Sequence, residues 1–560
     1  MRSLLCAAAL LSLLVLAACG GGSDPSGTKE GAPQRGGDLT VLVPRADAAP
    51  DPHRVRTLAE AMIHSAVFRG LYVVPPTKED EPETPDEPSQ EGPAPDLAEG
   101  PPTVSEDGRV VTVRLRDGVR FGGDDGRTVN ARDVARGIEE ALADPVAGPG
   151  ARRLLAAVAG VPAPGDPAES SISGIEATDA RTLVFRLRRP EARLVVAALS
   201  TPLSTPVPAD RENISPWTGP YVPTQDGPDG QVVLVRNPAF RPLPDDWRRA
   251  YAERIRLEVD DSPGAASRVL NGERLVLGST TVPASVATAA THRKQLTRVV
   301  MPATEYVGLN PTMPPFDRLD VRKAVIAAVD RQALLDAVRE NGGILASHWL
   351  PPGTPGHDQA GGAEGPRYDW LARPEGDLAV AQAYLRRAGF ADGRYEGRPI
   401  VAFTAGDHPS MVVAQAVRRR LALIGLDLRL RVVPAAVARD ACSDPGSGAA
   451  ICPESELSSP VRDPEALLRP GFVEAPAWSQ TGTADLAAVM TLASDTQPGE
   501  QRARAWGDIG RDVVAIAPGA PWRWDERLLL VSRDVRGVVD GGSGGWDLAA
   551  TSLAPKPDEG

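Results

Sequence analysis

VTVRLRDGVRFGGDDGRTVNARDVARGIEEAL, residues 111–142, is the stretch in which every local signal agrees. Val111, Val113 and Leu115 alternate with Thr112, Arg114 and Arg116, which predicts a strand with one buried face. Asp117-Gly118 turns the chain, Val119 and Phe121 restart the alternation, and the glycines and aspartates of 122–126 predict a loop. Asn130 then reads as the N-cap of a helix. Asp133 falls in its first turn, where a carboxylate favours the helix dipole, and Val134, Ile138 and Leu142 share one face. Strand, turn, strand, loop and helix in this order occur in many folds.

Around this stretch the chain runs to 560 residues, too long for one core, so several domains are expected. A hydrophobic content of 42% with 24% charge is ordinary for a globular protein. The formal net charge of −13 argues against a nucleic-acid partner, which needs a basic face. Arg2 precedes an apolar run, Leu4 to Ala18, too short to span a bilayer and ending in small residues as a signal peptide does. Leu16-Ala17-Ala18-Cys19 resembles a bacterial lipobox. Cleavage before Cys19 would leave a lipidated thiol and a Gly/Ser-rich tether reaching Gly37. Of the four cysteines, Cys6 leaves with the leader and Cys19 takes the lipid. Cys442 and Cys452, ten apart, read as a disulfide, or more remotely as part of a metal site, although no CxxC pair and no neighbouring His accompany them. The tract 77–102, rich in Pro, Glu and Asp, reads as a surface insertion with too little apolar surface to order itself.

The wording of the opening stretch is more specific than its pattern. Val113 to Phe121, the Gly/Asp loop and Thr128 to Val134 resemble the signature of the family 5 extracytoplasmic solute-binding proteins of ATP-binding-cassette importers. Other segments extend the resemblance: Gly36-Gly37 before the strand Leu39 to Val43; Asp51-Pro52-His53; Phe68 to Tyr72; Ala94 to Gly100; Thr218-Gly219-Pro220-Tyr221; and Arg236 to Phe240. A second strong match is Tyr306 to Asn310, Pro314-Pro315-Phe316-Asp317 and Val321 to Leu334, followed by His348-Trp349-Leu350-Pro351-Pro352-Gly353 and, near the end, Pro518 to Trp522. The chain departs from the family at Leu275 to Leu277, where an Asp is usual. It departs again at Arg462, which stands just ahead of Asp463-Pro464 where peptide-binding relatives carry the acid that holds the ligand's amino group. A free amino group buried without a carboxylate is costly, so either Asp463 substitutes or the ligand has no free amino end.

The resemblance implies an α/β fold of the type II periplasmic-binding-protein kind: two main lobes plus an extra subdomain, with the ligand in the interlobe cleft. The expected plan is a signal peptide 1–18, a lipid-anchored tether 19–37, a discontinuous lobe I (38–60, 172–303 and 519–560), subdomain II (61–171) and lobe III (304–518). Two crossings between the lobes would act as hinges. Asp51, His53, Tyr306, Asn310, His348, Trp349, Arg462, Asp463, Trp478 and Trp522 are the candidate ligand contacts. The implied partners are a peptide or other small solute, a membrane permease with cytoplasmic ATPases, and the outer face of the cytoplasmic membrane through the lipid. No cofactor or metal is expected, and a monomer is. Two rival readings remain: a ligand-sensing or chaperone-like lipoprotein on the same fold, and a serine hydrolase. For the latter, 541–545 spells G-x-S-x-G around Ser543, but a glycine-rich segment is a poor helix start and no His follows.

Overall fold

The computed structural model describes residues 35–554 apart from 45–49, 75–76, 79–92, 123–125, 146, 164–165, 168–170, 213, 225–230, 243–246, 445, 475–483, 498 and 541–543. The leader, Cys19, Trp478 and Ser543 lie outside the described residues.

The first lobe is built on a five-stranded sheet in the order Leu275–Leu277, Asp38–Val43, Arg254–Val259, Val233–Arg236, Tyr221–Thr224. Asp38–Val43 runs parallel to both neighbours and is covered on both sides. Leu39, Val41 and Val43 pack on one face with Leu58, Met62 and Ala66 of the helix Leu58–Val67, while Leu42 packs on the other with Val269 and Leu270. Thr57 and Glu60 form a reciprocal capping box at that helix's start.

The opening stretch folds as the expected first strand and helix, while the expected second strand at Val119 and Phe121 is reduced to an isolated bridge between Arg120 and Thr128. Val110–Arg114 lies antiparallel to Thr182–Arg186, with Val111 facing Phe185 and Val113 facing Leu183. In the helix Ala131–Ala143 the Asn130 side chain accepts from Arg132 and Asp133 N–H, and the Asp133 carboxylate accepts from Asn130 N–H at 2.9 Å. The sheet order, Thr103–Val104, Val110–Arg114, Thr182–Arg186, Ile175–Ala177, moves two expected boundaries. The two strands that next follow residue 171, Ile175–Ala177 and Thr182–Arg186, belong to subdomain II, whose apolar core runs chiefly from Leu71 to Leu203, and the helix Leu58–Val67 belongs to lobe I. Strand partners some 70 residues apart decide this, and no local pattern carries that information.

Part of the acidic tract is also ordered. Ala94–Pro95 pairs with Tyr72–Val73, and Leu97 and Ala98 are buried. Asp96, also buried, accepts from Arg69 Nε at 2.8 Å and from Arg248 Nη2 at 2.6 Å. The mean composition of the tract hid an apolar, ion-paired segment that ties subdomain II to lobe I.

Lobe III is organised on a six-stranded sheet, Ile344–Leu345, Gly519–Leu530, Leu296–Leu309, Ile451–Ser458, Ile400–Ala405, Leu428–Val433. Its core holds Phe316, Trp349, Trp506 and Trp522. Buried arginines tie loops to it: Arg322 donates to the carbonyls of Phe316 and Ile516, and Arg331 to those of Ala346 and Leu371. A disulfide joins Cys442, in the helix Ala435–Ser443, to Cys452 in the strand Ile451–Ser458, with Cα atoms 6.0 Å apart.

Two strands cross between the lobes. Leu296–Leu309 and Gly519–Leu530 form one antiparallel ribbon, from Leu296 facing Leu530 to Gly308 facing Gly519. Leu528 and Leu530 sit in a lobe I cluster, whereas Val307, Leu309, Ala520 and Trp522 sit in the lobe III core. The ribbon loses register between Val300 and Thr304 and again between Glu305 and Tyr306, so its two ends are joined by irregular backbone. The sequence pattern suggests only short strands here, because Pro518 and Pro521 read as loop. Pro521 is tolerated because it lies at the second irregularity.

Candidate functional site

Ile400–Ala405, Leu428–Val433 and Ile451–Ser458 run parallel, so their carboxyl ends open on one edge of the lobe III sheet beside the crossing ribbon. Such an edge is the usual ligand position in open α/β sheets. Glu305, Glu456 and Arg523 face one another across three adjacent strands, and directly facing residues share a face. Arg523 Nη2 donates to Glu305 Oε1 and lies 3.3 Å from Asp525 Oδ1. Burial pushes Glu305 up to about 7 against the pull of Arg523, and the carboxylates of Asp525, Glu456 and Glu454 add to the rise. Burial also raises Glu454 and Asp525. The charge balance on this face is negative, since Arg523, with Arg527 beyond it, meets four carboxylates.

The other face of the ribbon is aromatic. Tyr306 meets Trp349 edge-on with ring centres 4.7 Å apart, and Trp349 meets Phe472 at 5.0 Å. Gly519 makes this packing possible: a Cβ there would stand 2.3 Å from the Val307 carbonyl and 3.0 Å from the Tyr306 ring. Thr304 Oγ1 donates to the Trp349 carbonyl at 3.0 Å, and Trp524 Nε1 to the His348 carbonyl at 3.0 Å, so the 348–353 loop is stitched to the ribbon.

The candidate contacts divide by what already occupies them. Asp51 is exposed, and its Oδ1 accepts from the N–H groups of His53 and Arg54. His53 Nδ1 lies 3.4 Å from the Pro202 carbonyl, and burial lowers its pKa. Asn310 donates to the Ala449 carbonyl and accepts from Thr312 N–H and Oγ1. His348 is wholly buried. Its Nε2 is 3.0 Å from the Gly362 carbonyl, its Nδ1 accepts from Leu350 N–H, and burial, then His357, lower it to about 3.

Asp463 is engaged twice. Its Oδ1 accepts from Glu465 N–H at 2.8 Å as helix N-cap, and its Oδ2 accepts from Arg502 Nη2 at 2.9 Å. Arg462 donates to the carbonyls of Pro352 and Val300. Trp349 and Trp522 are buried, and Tyr306 is half-buried. The structure therefore groups Tyr306, Trp349 and Trp522 on and beside the ribbon, keeps Asp51 and His53 near subdomain II, and gives Asp463 and Arg462 internal partners. Sequence reading missed Glu305, Glu454, Glu456, Asp525 and Arg523. Their only local trace is the polar alternation within two apolar strands.

Among the described residues no group of three or more His, Cys, Asp or Glu side chains could hold a metal ion, and no helix is long and apolar enough to cross a membrane.

Two lobes on a shared crossing ribbon, with a site edge between them, define a type II solute-binding protein fold. Residues 92–448 match the family described as bacterial extracellular solute-binding proteins, family 5, and the chain belongs to it. Di/tripeptide-binding protein 2 of Pseudomonas aeruginosa is 29% identical over 349 residues, which are 58% of this chain and 61% of that protein. Di/tripeptide-binding protein 1 of the same organism is 36% identical over 88 residues, only 16% of this chain and 14% of that protein. The matches to these curated relatives thus span less than two thirds of their length. The solved clavulanic acid biosynthesis oligopeptide binding protein 2 superposes with a TM-score of 0.79 at 25% identity, covering 94% of this chain and 97% of that one.

Proposed function

We propose that this chain is the membrane-anchored substrate-binding component of an ATP-binding-cassette importer. It captures peptides or a similar small solute by closing its lobes and delivers the solute to a permease. The single observation that carries the reading is the crossing ribbon, whose register shifts at Val300–Thr304 and Glu305–Tyr306 fall between the two cores it serves. Irregular backbone at that point allows the lobes to move as units, and solute favours the closed state. The family membership and the peptide-binding names of its relatives support the solute class.

Lobe closure positions the chemistry without breaking a bond. The half-buried Tyr306, backed by the buried Trp349, offers apolar contact, and the Glu305, Glu456 and Asp525 edge favours a solute carrying positive charge. The lipid on Cys19 would keep the protein at the outer face of the membrane, within reach of the permease.

Calorimetric titration with mixed short peptides, paired with small-angle scattering, tests the reading. Saturable binding accompanied by a smaller radius of gyration is expected. Binding without compaction removes the closure step, and no binding of any peptide removes peptides from the solute class. Replacing Cys19 by Ala should move the protein from the membrane fraction to the medium; retention at the membrane would exclude the lipid anchor.

A further inference from the structure

The segment that follows the strand Ile451–Ser458 touches the hinge and subdomain II at once. At the hinge, Ser459 N–H donates to the Pro302 carbonyl at 3.0 Å, and Arg462 Nη2 donates to the Val300 carbonyl. Both carbonyls belong to the stretch where the ribbon loses register with Gly519–Leu530, so the irregular backbone finds donor partners in this segment. Arg462 Nη1 also reaches the Pro352 carbonyl at 3.3 Å, and a Cβ on Gly353 would lie 3.1 Å from that nitrogen.

The far side of the segment is rooted in lobe III. Asp463 pairs with Arg502, both buried, and caps the helix Pro464–Arg469. Glu465 accepts from Arg469 Nε at 2.8 Å and from Ser494 Oγ at 2.6 Å. Val461, between the two hinge contacts, and Ala466, just after the lobe III contacts, are 5% and 8% exposed, and they belong to the same apolar cluster as Val195, Ala198 and Leu199 of subdomain II. The Glu191 carboxylate at the start of the helix Ala192–Ala198 adds to the rise that burial gives Glu465.

We propose that residues 459–466 are a closure latch. Ser459 and Arg462 fix the latch to the hinge carbonyls, Asp463 and Glu465 fix it to lobe III, and Val461 and Ala466 insert into the core of subdomain II. Opening the hinge moves Val300 and Pro302 relative to subdomain II and draws the apolar pair out of its socket. The closed state therefore holds protein-to-protein apolar contact in addition to whatever the solute supplies. Arg462, standing where peptide-binding relatives carry an acid, is a positioning residue of this latch. The inference rests on the hinge-closing reading above, but its test needs no solute.

Hydrogen exchange on the full chain, followed by mass spectrometry, measures it. Val461→Asp should raise exchange of the 192–199 amides by about tenfold or more, because a carboxylate cannot remain in an apolar socket. Arg462→Gln, which removes the donors to the Val300 and Pro352 carbonyls, should raise exchange at both 299–304 and 192–199, and Arg462→Lys should restore part of the protection. Unchanged protection of the helix Glu500–Ala515 certifies that each variant is folded, and Val461→Ala serves if the aspartate variant is not. Arg462→Gln that leaves 192–199 at the wild-type rate overturns the latch. A chain that binds peptide yet lacks this coupling retains its solute-binding function and loses the latch; a coupled chain that binds no peptide does the reverse.

Discussion

Asp463 spends both carboxylate oxygens inside the protein, one on a helix start and one on Arg502. Both partners are buried, so removing the acid strands a guanidinium away from water. Asp463→Ala should lower unfolding stability by about 3–5 kcal/mol, read from denaturant melts, whereas a residue used only for solute would change affinity and leave the melt alone. Glu305 makes the complementary case. Its pKa rises from an ordinary 4.5 to about 7, so the folded chain holds this proton more tightly than the unfolded chain. The resulting stabilisation is complete below about pH 4.5 and is lost as the pH rises through 7. Relative to wild type, Glu305→Gln should therefore gain about 1–3 kcal/mol in stability between pH 5 and 8, with a parallel change in melting temperature; a pH-independent difference would contradict the shift. At this scale the sequence was a fair guide to position and a poor one to role. Tyr306 and Trp349 were expected as ligand contacts from their motifs, and the structure puts Trp349 in the lobe III core with Tyr306 half-buried against it. That His348 and Asn310 have partners on both sides could not be read from the sequence, since those partners, Gly362 and Ala449, come from distant loops.

Elements with local causes were legible. The Asn130 and Asp133 capping box, the alternation of Val111 and Val113, and the helix Glu500–Ala515 follow from signals within a few residues. The crossing ribbon was legible only in part, because its length is set by pairing between residues more than 200 positions apart and its prolines imitate loop. The disulfide is an element-scale device of the opposite, short-range kind, its cysteines ten residues apart and legible in the sequence. It ties the helix Ala435–Ser443 to the strand bearing Glu454 and Glu456, close to the site edge. Cys442→Ser should lower stability by about 2–3 kcal/mol in oxidising buffer and have no effect when reductant is present throughout. An equal loss in both buffers would assign the effect to packing around Phe403 and Ala449 instead.

At the scale of the molecule, three apolar cores meet around one ribbon and one latch. Subdomain II joins lobe I through the buried Asp96 with Arg69 and Arg248, and reaches lobe III through Val461 and Ala466. The first is ionic and permanent on this account, while the second is apolar and separable, which gives the molecule a rigid body and a moving one. Composition and charge argued only against a nucleic-acid partner and could not reveal this division, and the expected boundary at residue 171 fell inside a sheet that continues to Arg186. The account's central claim is that the cleft holds a small solute with a positive group. Native mass spectrometry of the chain purified from its own host tests it most directly. The account predicts a non-covalent adduct, resolved on release into peptides or another cationic solute and weakened by Glu305→Gln. A chain that flies at its bare mass from every preparation, or that carries only anionic solutes unaffected by Glu305, would contradict it.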